Sequence, residues 1–332
     1  MRLEAFSRGK IHARPQDNED ALLVLPGLGY AIIDGVSDRS GRMFDGVKGG
    51  LFAARIARRA LARFLCEEDL STQDPARPGR LVATLNAALR AGYARLGQED
   101  DLTQAPGLRA GCAFMAALHE GDALTLIGVG DCGARIERED GRVLIADAKP
   151  LDRISALLRR EAWRALEARG ATREACAAAG AQAAGQGLSA PPSGVSANEA
   201  ADLAGRVRAV MAQEHPDLPP DEVAMMIGEG ISGQRAFANR ADLGLGYGVI
   251  DGFGTPDAFI IARRFPLAGL REVELFSDGY FHVPEESGLD AFEAAHAWVE
   301  QVDFDKLGRF ASMKGSSADQ ATDDRSYLRA IF

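Results

Sequence analysis

Four short stretches of this chain share one shape, an apolar strand-like run that stops at aspartate. They are Gly29 to Gly35 with Asp34, Leu124 to Asp131, Val273 to Gly279 with Asp278, and the late Thr322-Asp323-Asp324. A carboxylate at the end of a buried strand is costly unless something positive meets it. Several converging on one point make an oxygen-rich site suited to hard divalent cations such as Mg²⁺ or Mn²⁺. The chemistry this pattern favours is metal-assisted.

The elements that must position these residues can be read from periodicity. Ala21–Leu25 and Gly29–Ile33, separated by Pro26-Gly27, predict a hairpin, and the polar, glycine-bearing residues 36–46 predict a loop. Helical spacing runs from Val47 to Leu65, with Arg55, Arg58, Arg59 and Arg63 on a solvated face, and again over Arg80–Leu96. Strands return at Cys112–Leu118, Leu124–Val129, Ala134–Glu137 and Val143–Ile145, and their short connections predict an antiparallel meander. Helical patterns cover Asp152–Arg169 and Asn198–Glu214. Between them the Ala-, Gly- and Ser-rich residues 171–196 suit either a flexible excursion or a weakly packed helix. Strands are expected at Gly246–Ile250, Ala258–Ile261 and Glu272–Phe276, helices at Asp290–Val302 and Phe304–Met313, and a last strand at Ser326–Phe332. Strands and helices come in blocks rather than alternating one to one, which argues for an α+β fold with antiparallel sheets covered by helices.

Composition narrows the function classes. A length of 332 residues allows one large domain or two smaller ones. The formal net charge of -10 argues against binding nucleic acid, which needs clustered Lys and Arg. Cys66, Cys112, Cys132 and Cys176 form no Cys-x-x-Cys pair, which argues against structural zinc. Scattered thiols suit a reducing compartment. The N-terminus does not read as a signal peptide, and no apolar run approaches the roughly 20 residues of a membrane helix. The expectation is a soluble, cytoplasmic protein with no membrane or nucleic-acid partner.

The order of the motifs resembles the metal-dependent protein phosphatases of the phosphatase 2C family. Asn18-Glu19-Asp20 is similar to that family's early acidic motif, and Asp34-Gly35 to its Asp-Gly motif. Gly111-Cys112-Ala113 stands at the Gly-Thr/Ser-Thr strand start. Gly130-Asp131 resembles Gly-Asp-Ser, Ser277-Asp278-Gly279 resembles Ser-Asp-Gly, and Thr322-Asp323-Asp324 resembles the C-terminal acidic motif. Each alone is weak, since Asp-Gly is a common turn pair; six in order, spanning nearly the whole chain, are not. The resemblance implies a four-layer αββα sandwich, two central antiparallel sheets flanked by helices, in a single domain over residues 1–332 with a helical or flap insert at about 150–245 that would select the substrate.

It also implies roles. Asp34 would bridge two Mn²⁺ or Mg²⁺ ions and Gly35 would offer its carbonyl. Asp278 and Asp323 would bind one ion, Glu19 would reach the other through water, and Asp20 would support this shell. Two ions roughly 3.5–4 Å apart would activate a water for attack on a phosphoserine or phosphothreonine monoester. Asp131 would help hold a third, weaker ion. The chain departs from the pattern at His282, which stands where a further acid is usual and reads as a ligand, an acid or a packed loop histidine. Cys132 and Gly133 replace the usual residues after Gly-Asp. The phosphate-binding arginine is displaced by one position to Arg14, and Val36 stands where some members carry a histidine acid. Asp251-Gly252 mimics the strand-aspartate shape but reads as a structural turn, and Cys112 and Cys132 read as buried residues rather than nucleophiles. The partners implied are a phosphorylated protein and a cognate Ser/Thr kinase. The alternatives are a phosphatase-like binding or sensor module with weakened turnover, and a phosphatase for small phosphorylated molecules.

Overall fold

Strand Gly29–Gly35 buries both of its faces, and that fixes its place in the middle of a stack of layers. Tyr30 and Ile32 enter one apolar core while Ala31 and Ile33 enter another, as alternation along a strand requires. The computed structural model describes residues 2–37, 41–146 and 149–332. Residues 38–40 of the expected loop over 36–46 therefore lie outside the described residues.

The elements in chain order are strand β1 (Arg2–Arg8), hairpin β2 (Ala21–Leu25) and β3 (Gly29–Gly35), a two-residue hairpin β4 (Met43–Phe44) and β5 (Val47–Lys48), and helices α1 (Gly49–Glu67), α2 (Arg77–Arg95) and α3 (Glu99–Gln104). Then come strands β6 (Cys112–Glu120), β7 (Ala123–Val129), β8 (Gly133–Arg138) and β9 (Gly141–Ile145), and helices α4 (Pro150–Glu167), α5 (Arg173–Gln186), α6 (Ala197–Glu214) and α7 (Pro220–Glu229). Strands β10 (Ile261–Pro266) and β11 (Leu270–Phe276), helix α8 (Leu289–Val302) and strand β12 (Arg325–Ile331) complete the chain.

The chain divides into two compact units, one of Met1–Asp147, Gly248–Ala297 and Asp319–Phe332, the other of Ala148–Tyr247 and Trp298–Ala318. The first holds two five-stranded sheets in the orders β10-β7-β6-β3-β2 and β1-β12-β11-β8-β9, with every pairing antiparallel. The layer between them is apolar, built from residues such as Tyr30, Ile32, Met115, Leu126, Ile136, Val273, Leu275 and Leu328. Leu61, Leu65, Leu85 and Leu89 of α1 and α2 cover the outer face of the first sheet with Ile33 and Phe114. Phe292 of α8 packs on Phe276 and Tyr327 on the outer face of the second. Helix, sheet, sheet, helix is the expected α+β layering.

The expected meander from β6 to β9 does not form. The chain changes sheet between β7 and β8: β6 and β7 pair in one, while β8 pairs with β11 and β9 in the other. Gly130, at φ +92°, makes the break in a conformation that suits glycine. Gly246–Ile250 is not a strand either. Ile250 exchanges both backbone hydrogen bonds with Cys112 as a lone bridge, and the glycines at 244, 246 and 248 supply no side chains to a ladder. Residues 257–259 form a 3-10 turn behind Pro256, so the strand expected at Ala258–Ile261 begins only at Ile261.

The second unit is helical. Helix α5 settles the open reading of residues 171–196: Thr172 caps it, and Cys176, Ala179, Ala183 and Ala184 are buried. Its side chains are small because α4 approaches closely; a Cβ on Gly180 would lie 3.1 Å from the Arg159 carbonyl oxygen. Helix α6 opens with a capping box between Ser196 and Glu199. The helix expected over Phe304–Met313 is instead a loop folded around Asp303, whose carboxylate accepts N–H bonds from Leu307, Gly308 and Phe310. A carboxylate that offers backbone groups such an alternative competes with the helix. No helix among the described residues is long and apolar enough to cross a membrane.

Candidate functional site

Asp34 shares the face of β3 that carries Tyr30 and Ile32, so alternation aims it between the sheets at the strand's end. Ser277, just past β11, continues the face of Val273 and Leu275, and Asp324, just before β12, that of Ser326 and Leu328. Polar groups of both sheets therefore close one end of the apolar layer. Asp20, just before β2, accepts a hydrogen bond from Ser277 Oγ at 2.8 Å, and Ser277 Oγ accepts one from the Ser326 N–H at 2.8 Å.

Glycine lets the backbones meet here. A Cβ on Gly35 would collide with the Gly50 carbonyl and lie 2.7 Å from the Glu19 carbonyl oxygen. One on Gly50 would lie 2.7 Å from Glu19 Oε1. The first turn of α1, the end of β3 and Glu19 thus pack together, and the positive end of the helix faces a carboxylate. Likewise a side chain on Gly279 would strike the Asp324 carbonyl, so the Ser277-Asp278-Gly279 turn and the Asp323-Asp324 turn are pressed together.

One part of this cluster is organised around Lys10, 7% exposed just past β1. Its ammonium donates to Glu19 Oε2 at 2.8 Å, Ser37 Oγ at 2.8 Å and Asp323 Oδ1 at 3.1 Å, and pairs with Asp324 Oδ2 at 2.9 Å. Asp324 also accepts the Lys10 N–H at 2.7 Å. Burial alone would push Lys10 below the ordinary lysine value, but Asp323, Glu19 and Asp324 outweigh it and raise it above. Lys10 is a fixed cation.

The other part has carboxylates facing carboxylates. Burial raises Asp34 well above the usual carboxylate range, and Asp20, Asp278, Asp131 and Asp323 raise it further. Asp20 is pushed up to about 7, by burial first and by Asp324 and Asp323, against the hydrogen bonds of Ser326 and Ser277. Asp20 Oδ1 and Glu19 Oε1 are buried without a hydrogen-bond partner. Such oxygens cost on the order of 1–3 kcal/mol each or more when charged. Hard oxygen donors, orphaned and mutually repelling, are the chemistry a divalent cation would satisfy. Among the described residues no three His, Cys, Asp or Glu side chains form a ready group that could hold an ion. Glu19, Asp323 and Asp324 are engaged by Lys10 instead.

The structure thus brings Glu19, Asp20, Asp34, Gly35, Asp131, Asp278 and Asp323 to one end of the inter-sheet layer. Asp34, Asp131 and Asp323 are half-buried and Asp278 is exposed. Arg14 is placed differently, its side chain 55% exposed and paired with Asp17 at 3.2 Å. His282 is half-buried beyond the Asp278 turn. Burial pushes the Cys112 thiol up to about 12. Burial together with Asp34, Asp131, Asp20 and Asp278 raises Cys132 well above the ordinary thiol value, so neither is a thiolate nucleophile. Asp251 is the structural turn expected: its carboxylate pairs with Arg109 at 3.0 Å and its carbonyl accepts from Tyr93.

Sequence reasoning quoted Ser277 only as part of the Ser-Asp-Gly motif and passed over Lys10, Ser37 and Ser326. No local pattern marks them; the one available signal for Lys10 was a lone cation beside Gly9 at the end of an edge strand, upstream of the acidic motif.

Over its whole length the chain is similar to the Mycobacterium tuberculosis serine/threonine phosphatase PstP/Ppp, with 17% identity, a TM-score of 0.41 and coverage of 100% of this chain and 98% of that one. It is similar to the PstP catalytic domain in complex with two manganese ions, with 17% identity, a TM-score of 0.42 and coverage of 99% and 97%. It is also similar to Stp1 from Staphylococcus aureus, with 13% identity, a TM-score of 0.46 and coverage of 100% and 95%. No family model matches the sequence, and neither does any curated protein. Likeness at this level decides nothing about the chemistry of this chain, which its own side chains must carry.

Proposed function

We propose that this chain is a divalent-cation-dependent phosphatase, acting with Mn²⁺ or Mg²⁺ on phosphoserine and phosphothreonine in proteins that a cognate kinase has phosphorylated. The observation that carries the reading is the set of carboxylates Asp20, Asp34, Asp131 and Asp278, held at strand ends with Asp20 Oδ1 buried and unpartnered. The order of the acidic motifs supports the phosphoprotein substrate.

When bound, a divalent ion would acidify a water and offset charge on the phosphoryl oxygens. Asp34 and Asp278 would hold it, and Asp20, fixed by Ser277, would orient that shell. Lys10 offsets part of the negative charge of Glu19, Asp323 and Asp324 at the same end of the sheets. No side chain of the cluster is poised to attack phosphorus itself, since the Cys132 thiol stays protonated.

A second reading, a phosphatase-like binding module with weakened turnover, is favoured by the same lysine, which engages Glu19 and Asp323, two residues the motif order assigns to metal binding. Hydrolysis of p-nitrophenyl phosphate in EDTA, Mg²⁺ and Mn²⁺, beside Asp34→Asn and Asp278→Asn, separates the two. Turnover that depends on metal and disappears in both variants establishes the enzyme. A folded protein inert in every metal leaves the binding module. A phosphopeptide screen then tests the substrate class.

A further inference from the structure

We propose that the Lys10 ammonium takes the place of one of the two divalent ions, so that the site binds a single Mn²⁺ or Mg²⁺ on its Asp20, Asp34, Asp131 and Asp278 side. This rests on the cation-dependent reading above and deepens it.

The geometry of Lys10 carries the argument. The motif order gives Asp323 directly to one ion and Glu19 through water to the other, and the ammonium holds both carboxylates, at 3.1 and 2.8 Å. It also reaches Asp324 at 2.9 Å and Ser37 at 2.8 Å, which fills its donors with oxygens of four residues. The Lys10 side chain is 9% exposed and Glu19 3%, so this is a built-in position rather than a surface arm folded inward. An ion bound directly by Asp323 would lie close to the ammonium that already holds that carboxylate, and two buried cations at close range repel strongly. On the other side Asp34 is crowded by Asp20, Asp278 and Asp131, and Asp20 Oδ1 is buried without a partner in a residue 8% exposed.

The test is the number and coupling of bound Mn²⁺ ions, read by equilibrium dialysis and electron paramagnetic resonance, with no substrate present. The wild-type protein is expected to bind one tight Mn²⁺ with the six-line signal of an isolated ion. Lys10→Met, which removes the charge and keeps the bulk, is expected to bind two with a spin-coupled spectrum. Glu19→Gln is expected to keep the single ion, because Glu19 belongs to the lysine; this variant serves if Lys10→Met fails to fold by circular dichroism. Asp34→Asn is expected to lose the ion. Two coupled ions in the wild type would overturn the inference and leave the cation-dependent reading standing. One ion in a folded Lys10→Met, or none in Glu19→Gln, would overturn it too. No tight Mn²⁺ in the wild type would sink the underlying reading as well.

Discussion

Two of the places where the first unit buries charge do it in opposite ways. On the outer face of the second sheet, beneath α8, every strong charge is met. Arg135, 2% exposed, donates to Glu274 and to the carbonyls of Pro284 and Glu286. Glu274, fully buried, also accepts from Tyr327 and from the Gly288 N–H at 2.8 Å, and Arg329 pairs with Glu272. At the end of the inter-sheet layer, carboxylates instead push one another toward protonation, two of their oxygens have no partner, and Lys10 offsets part of the charge. Charge that serves only the fold is closed pairwise. Charge left open, in a fold able to close it elsewhere, marks the place where something else is to bind.

The largest expected effect falls on activity. Asp34→Asn should lower metal-dependent turnover on the order of 100-fold or more, while its thermal midpoint in EDTA rises, because one member of a repelling cluster is gone. A falling midpoint would mean that the two regions do not differ in kind. Glu274→Ala is the mirror case. It strands Arg135 and should cost about 3–5 kcal/mol in urea unfolding, with Mn²⁺ affinity unchanged in the folded fraction; a loss below about 1 kcal/mol would show the network to be slack. Gly279→Ala forces apart the two turns that carry Asp278 and Asp324, at a cost of about 1–3 kcal/mol. It should weaken Mn²⁺ binding as well as stability, and a change in stability alone would place those turns outside the site.

The smallest effect concerns a half-buried histidine. His119 Nε2 lies 3.1 Å from the Tyr30 hydroxyl, and burial lowers its pKa. The unfolded chain takes up the proton near pH 6.5 and the folded one resists it, so stability should fall as pH drops below about 6.5. His119→Gln should flatten that part of the profile; denaturant midpoints across about pH 5–7 read it, and an unchanged slope would assign it to another group.

Much of this was legible in sequence because it is local. Alternation in Gly29–Gly35 and Val273–Phe276, and the aspartates that follow, gave the strands, their buried faces and the acids at their ends. Helical spacing placed α1, α2, α4, α6 and α8 within a few residues. The errors have physical causes. Short connections implied a meander, but the turn from β7 to β8 is also short, and only the pairing of β8 with β11 shows that it crosses between sheets. Phe304–Met313 has helical spacing, yet the Asp303 carboxylate captures its N–H groups.

The amino-acid sequence by itself determined the α+β layering, the strand-end aspartates and the oxygen-donor chemistry, since each follows from residue type and short-range period. Only the tertiary structure decided which charges meet. Lys10 and Asp323 are 313 positions apart, and no periodicity links them. They come together because β1 pairs with β12 along its full length, Arg2 opposite Ile331 and Arg8 opposite Arg325. That register places the residue just past one strand beside the turn that opens the other.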